Sequence, residues 1–143
     1  MKIVYSYYVL DIIHKGHIIM MKNAKSIAGK DGKLIVGILT DEAVMEKKPK
    51  PLLPFEDRME LAAAIKYVDA VVAQETYSPL QNVMRIRPDI LIESSSHDER
   101  DIEKARKVMK KMKGSVIVLP YFPGHSSTKI KNKISSISKN KKT

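Results

Sequence analysis

Five short runs rich in β-branched and aromatic residues, separated by stretches of helical spacing, constrain the fold of this chain more than any other feature. The first covers residues 2–10 and leads into a helical pattern over residues 15–28. The second, Lys33–Leu39 (KLIVGIL), is apolar almost throughout, as a strand must be when both faces of a parallel sheet are covered. Residues 68–72 (VDAVV), 88–92 and 115–119 (SVIVL) read as the third, fourth and fifth strands. Helical spacing fills the gaps over 55–67, from Ser78 and Pro79 to Arg87, and over 99–113 with Gly114 as its cap; a last helix starts near Ser127. Between residues 41 and 54, Pro49, Pro51 and Pro54 interrupt a lysine-rich stretch, which is expected to form an irregular basic loop. The alternation predicts an α/β, Rossmann-like, doubly wound five-stranded parallel sheet, with ligands gathered beyond the carboxyl ends of the strands. One domain over residues 1–134 is expected, followed by a flexible lysine- and serine-rich tail over 135–143.

Composition then removes whole classes of mechanism. The 143 residues contain no cysteine, which excludes disulfides, thiolate metal ligands and a thiol nucleophile. No apolar stretch reaches bilayer length and the start carries no signal-peptide pattern, so a soluble, cytoplasmic protein is expected. A formal charge of +10 favours anionic partners, and nucleic acid, nucleotides, sugar phosphates and acidic lipid all satisfy it. Lys129, Lys131, Lys133, Lys139, Lys141 and Lys142 crowd the end of the chain, and part of the excess is ascribed to a solvated tail.

Three elements carry chemistry. His14-Lys15-Gly16-His17 places two imidazoles where the first helix opens, adding hydrogen-bond donors to a helix end that already favours anions. Gly16 lets the backbone approach a ligand closely. Two ligands in one tight turn make a poor zinc site. Gly124-His125-Ser126-Ser127-Thr128-Lys129 follows the fifth strand; its hydroxyls read either as helix N-caps or, with the lysine, as a polyphosphate cradle. Lys47 and Lys48, followed by Arg58 on the next helix, suggest a clamp once they are set beside the other two elements. Asp11 is open to two readings, a metal ligand or a hydrogen-bonding partner behind the histidines; His97 and His125 either line the acceptor pocket or lie on the surface.

Residues 11–17 (DIIHKGH), 34–41 (LIVGILTD), 54–58 (PFEDR), 66–69 (KYVD) and 126–130 (SSTKI) resemble the cytidylyltransferase family of HxGH nucleotidyltransferases in order and spacing, over roughly residues 2–134. The nearest likeness is to glycerol-3-phosphate cytidylyltransferases and to related domains linked to phosphonate biosynthesis. The resemblance implies that His14 and His17 stabilise the α-phosphate, that Lys47 and Lys48 hold phosphates, and that Ser126, Ser127 and Thr128 grip the β and γ phosphates. It puts Lys47 and Arg58 with the catalytic histidines, and Tyr8, Val9, Leu10, Asp11, Gly16, Lys48, Ser94 and His97 in the nucleotide site.

The departures from the family pattern are specific. Tyr8-Val9-Leu10 stands where Gly-Thr-Phe is usual, Tyr121-Phe122-Pro123 where an arginine precedes the hydroxyl turn, and Ser94-Ser95-Ser96-His97 where Gly-Asp-Asp-Trp is usual. The second weakens the case for glycerol 3-phosphate, and the third the case for cytosine. The expected activity is transfer of CMP from CTP, carried with Mg²⁺, to a small phosphate- or phosphonate-bearing acceptor with release of pyrophosphate, by a homodimer. An ATP-using adenylyltransferase, resembling archaeal FAD synthetases, is the nearest alternative. A non-catalytic nucleotide or RNA binder is the alternative of another class, disfavoured by retention of both histidines and the hydroxyl turn.

Overall fold

The computed structural model describes residues 1–120 and the helix 127–141, the side chains of 127–129 and 138–141 excepted. Five strands, β1 (Ile3–Tyr8), β2 (Lys33–Leu39), β3 (Ala70–Gln74), β4 (Ile90–Ser94) and β5 (Ser115–Leu119), form one parallel sheet in the order β3-β2-β1-β4-β5. This is the doubly wound α/β arrangement expected from the sequence. Helices α1 (Lys15–Ala28), α2 (Asp41–Met45), α3 (Phe55–Ala63), α4 (Leu80–Ile86), α5 (Glu99–Lys111) and α6 (Ser127–Lys141) connect or follow the strands.

Period-two alternation along the strands feeds two cores. Val4, Leu34, Val36 and Ile38 pack with Met21 and Ala24 of α1 and Ala62 of α3, whereas Tyr5, Leu91 and Val116 pack with Val83 of α4 and Ile102, Ala105 and Met109 of α5. Burying each large side chain contributes about 1.5–3 kcal/mol. Tyr5 spans its layer and ends in polar company: its hydroxyl donates to Gln74 Oε1 at 2.6 Å and accepts from Asn82 Nδ2 at 3.0 Å. Gly37 is required opposite it, because a Cβ there would stand 1.9 Å from the Tyr5 hydroxyl.

The third and fourth strands begin two residues later than expected. Asp69 and Asp89 explain the shift, since each turns its side chain back onto the neighbouring strand: Asp69 Oδ2 accepts from Leu34 N, and Asp89 Oδ2 from Ile3 N, both at 2.8 Å. The segment 41–54 is not wholly irregular. Thr40 Oγ1 accepts from Ala43 N at 3.1 Å, Asp41 and Glu42 complement the first-turn dipole, and Ala43 and Val44 are buried, so α2 forms before the prolines begin. The basic loop shrinks to 46–54. Helical backbone also continues through Ser135 to Lys141, where a flexible tail was expected. Among the described residues no helix is long and apolar enough to cross a membrane.

Candidate active site

Strand β1 keeps six residues in register with β2, but only Val4 and Tyr5 pair with Ile90 and Leu91 of β4. Beyond that point β1 and β4 part, at the place where the winding of the sheet reverses, and a cleft of about 910 Å³ opens. Leu10, turned left-handed at φ 60° and buried, takes the chain out of β1 towards α1.

His14 is the N-cap of α1. Its Nδ1 accepts from Gly16 N at 3.1 Å, and the Nδ1 of His17 accepts from His14 N at 3.3 Å. A nitrogen that accepts from a backbone amide carries no hydrogen, so both neutral rings hold theirs on Nε2. The reciprocal cap thus leaves two Nε2–H donors at a helix N-terminus, with the ring centroids 3.9 Å apart. Burial, and secondarily the repulsion that a protonated His14 would add, pushes the His17 imidazole down to about 4, which keeps it a neutral donor at pH 7. Tyr8 stands edge-on to His17 at 6.0 Å between centroids, and burial pushes its phenol up to about 12. Among the described residues, the Tyr8 hydroxyl and that of Ser6, two residues before it on β1, are buried without a hydrogen-bond partner of good geometry.

Asp11 is buried against the same turn. Its carboxylate accepts from Leu52 N at 3.0 Å, from Leu53 N at 2.9 Å, and from the Lys131 ammonium. Burial pulls its pKa upward, but Lys131 and the two amides outweigh that and hold it below the ordinary value. Three donors, one of them cationic, occupy the carboxylate, an arrangement that suits the hydrogen-bonding reading of Asp11 better than the metal-ligand one. Among the described residues, no three His, Asp or Glu side chains group closely enough to hold a metal ion.

Arg58 departs furthest from expectation. It is 0% exposed and reaches no cleft surface. Its guanidinium donates to Val9 O and Leu39 O at 2.7 Å, to Leu53 O at 3.1 Å, and to Asp41 Oδ1 at 2.7 Å. It ties the ends of β1 and β2 to the basic loop, and we propose a structural role for it in place of the expected catalytic one.

Of the other expected residues, Val9, Leu10, Gly16, Lys47, Lys48, Ser94 and His97 join Tyr8, Asp11, His14 and His17 around the cleft. Lys47 is exposed, 3.8 Å from Asp101 and 4.9 Å above the Tyr77 ring, in a contact weak enough to exchange for a phosphate. His125, Ser126 and the side chains of Ser127 and Thr128 lie outside the described residues.

Among the lining residues that sequence reading did not single out, Lys131, Tyr7 and Glu93 carry the most chemistry. Lys131, grouped in the sequence only with the lysines that crowd the chain end, reaches Asp11 from one turn into α6. Tyr7 and Glu93 form the opposite wall: the Tyr7 hydroxyl donates to Glu93 Oε2 at 2.7 Å, and His97 Nδ1 contacts the same oxygen. Burial first, then the Glu93 charge, drives the Tyr7 phenol far above its ordinary range, so it stays a neutral donor. The alternation along β1 puts Tyr7 on the face opposite Tyr8, but nothing local shows that Glu93 stands level with it.

A parallel sheet that opens at its switch point onto a helix start furnished with N–H donors is the arrangement of nucleotide-handling α/β proteins. Comparison with known proteins narrows that class. Residues 9–136 match the cytidylyltransferase-like family model, and the chain belongs to that family of nucleotidyltransferases. An FAD synthase of Korarchaeum cryptofilum is 35% identical over 128 residues, which are 87% of this chain and 85% of that protein. The bifunctional protein HldE of Cronobacter sakazakii is 33% identical over 135 residues, 93% of this chain but 28% of HldE, so the chain spans little more than a quarter of that relative. The crystal structure of a lipopolysaccharide core biosynthesis protein from Thermoplasma volcanium shares the fold, with a TM-score of 0.70 at 23% identity, covering 85% of this chain and 97% of that one.

Proposed function

We propose that the cleft transfers a nucleotidyl group, CMP from CTP, to a small acceptor bearing a phosphate or phosphonate. An acceptor oxygen attacks the α-phosphorus, the bond from that phosphorus to the β-phosphate bridging oxygen breaks, and pyrophosphate leaves with both electrons. No covalent enzyme intermediate is needed. The His14 and His17 Nε2–H groups and the α1 N-terminus would hydrogen-bond the oxygens where charge develops, while Lys47, Lys48 and Lys131 neutralise the polyphosphate. Mg²⁺ would arrive as part of the triphosphate substrate, which suits a site offering lysines in place of a protein cage. Tyr8, Val9, Leu10, Gly16, Ser94 and His97 would contact the nucleotide, and Ser126, Ser127 and Thr128 its terminal phosphates. A homodimer remains part of the reading; exposed Ile134 and Ile137 on α6 offer apolar surface for it.

The observation that carries this reading is the contact of Lys131 with Asp11. It brings the start of α6, in which Ser127 and Thr128 of the hydroxyl run lie, towards the turn that leads to His14, as two segments gripping one triphosphate require. Similarity to an FAD synthase favours a second reading, adenylyl transfer from ATP by the same chemistry. The test is calorimetric titration with CTP, ATP, UTP and GTP, each with Mg²⁺, followed by pyrophosphate release with a panel of phosphorylated and phosphonate acceptors. A folded protein that binds none of the four triphosphates would refute both readings.

A further inference from the structure

The three described histidines around the cleft do not present the same face to it. His14 and His17 accept at Nδ1 and hold Nε2–H. His97 is pinned the other way, because its Nδ1 lies against Glu93 Oε2, and an ionised carboxylate only accepts. The longer approaches of Ser94 N at 3.4 Å and Tyr7 Oη at 3.3 Å to that nitrogen do not outweigh a charge-assisted bond. Glu93 is 3% exposed and receives the Tyr7 hydroxyl on the same oxygen, so two neighbours hold the carboxylate in place against the ring. The His97 side chain, 35% exposed, therefore turns its Nε2 edge away from Glu93, and with the Nδ1 hydrogen held by the carboxylate the neutral form of the ring has its lone pair on that edge.

The cleft is thus polarised. Around α1 it holds N–H donors and lysines, suited to phosphates, and at the end of β4 it holds an acceptor whose tautomer is fixed. A nucleoside triphosphate has the converse polarity when its base carries an exocyclic amine: acceptors along the phosphates and an N–H donor at the far end. We propose that His97, oriented by Glu93 and Tyr7, accepts a hydrogen bond from the exocyclic amino group of the nucleobase and so selects amino-bearing bases over their oxo counterparts. The proposal rests on the reading that His14 and His17 hold the phosphates of the same molecule. It explains how a wall lacking the usual family residues can still read a base, since a carbonyl oxygen facing Nε2 would set two acceptors together and leave both unpaired. His97 is the specificity-determining residue; Glu93 and Tyr7 are positioning residues.

The experiment compares isosteric pairs by calorimetry, CTP against UTP and ATP against ITP, each with Mg²⁺, on the full chain. Wild type should bind the amino member of at least one pair about tenfold or more tightly, since a site built to pair a donor rejects the analogue lacking it. His97→Gln supplies an amide that rotates to donate or accept, and should bring that ratio within about threefold while affinity for the amino member persists. Glu93→Gln, whose amide can donate to Nδ1 and free the opposite tautomer, should narrow the ratio as well, which a purely structural role would not do. Unfolding temperatures of the variants control for the fold, and His97, partly exposed, is the safer of the two positions. Equal binding of amino and oxo members by wild type overturns the inference and leaves the transferase reading standing. So does a His97→Gln protein that keeps the ratio, or that changes only the KM for the acceptor. Failure of wild type to bind any of these triphosphates is the separate outcome that removes the reading beneath it.

Discussion

Replacing Arg58 separates a structural from a chemical role for a cationic side chain buried at the base of the site. The Arg58→Ala change removes four hydrogen bonds and orphans two strand-end carbonyls, Val9 O and Leu39 O, that the guanidinium now pairs at 2.7 Å. It also leaves Asp41 without its 2.7 Å partner. Breaking a buried pair by deleting one member costs about 3–5 kcal/mol, against a total stability of about 5–15 kcal/mol for a domain of this kind. The loss of packing around a fully buried side chain acts in the same direction. Urea unfolding followed by circular dichroism should show a lower midpoint with an unchanged m-value. Arg58→Lys should recover only part of the loss, because an ammonium has three donors and no planar fork. A loss below about 1 kcal/mol in Arg58→Ala, combined with selective loss of turnover, would refute the structural assignment and return Arg58 to the catalytic group.

His14→Ala or His17→Ala should leave the protein folded and reduce pyrophosphate release by about 10²–10³-fold, the usual effect of deleting one donor to developing charge. Because His17 is pushed down to about 4 in the folded protein, its unfolded form takes a proton first as pH falls below about 6.5. Stability contributed by the neutral ring should therefore be complete near neutrality and fall by up to about 3 kcal/mol between pH 6.5 and 4; His17→Phe should flatten that part of the urea-midpoint profile. Lys131→Met should weaken triphosphate binding and strand the Asp11 carboxylate, with the double variant carrying Asp11→Asn recovering stability but not affinity, read by calorimetry and thermal unfolding. Gly37→Ala should cost about 1–3 kcal/mol through overpacking against the Tyr5 ring, and Tyr5→Phe in that background should relieve only part of it, since the Cζ atom would remain 2.7 Å from the new Cβ.

The parts of the fold that follow from local pattern were legible. KLIVGIL had to be a buried strand, and a cap next to a helical run had to start α1 at Lys15, as it does. His14 and His17 were legible for the same reason: their geometry is fixed within four residues by mutual capping, so order in the sequence becomes order in space. What escaped was set by register between distant strands. Asp69 and Asp89 shift β3 and β4 only because Leu34 N and Ile3 N stand beside them. Arg58 reads as a phosphate ligand until its helix is docked, whereupon three backbone carbonyls from separate segments and Asp41 consume its donors. Glu93 is a lone acidic residue in an apolar strand, costly to bury unless something pairs it. That cost was the available signal, and the partners it demanded, Tyr7 from β1 and His97 from the β4–α5 turn, are the residues that give the second wall of the cleft its chemical character.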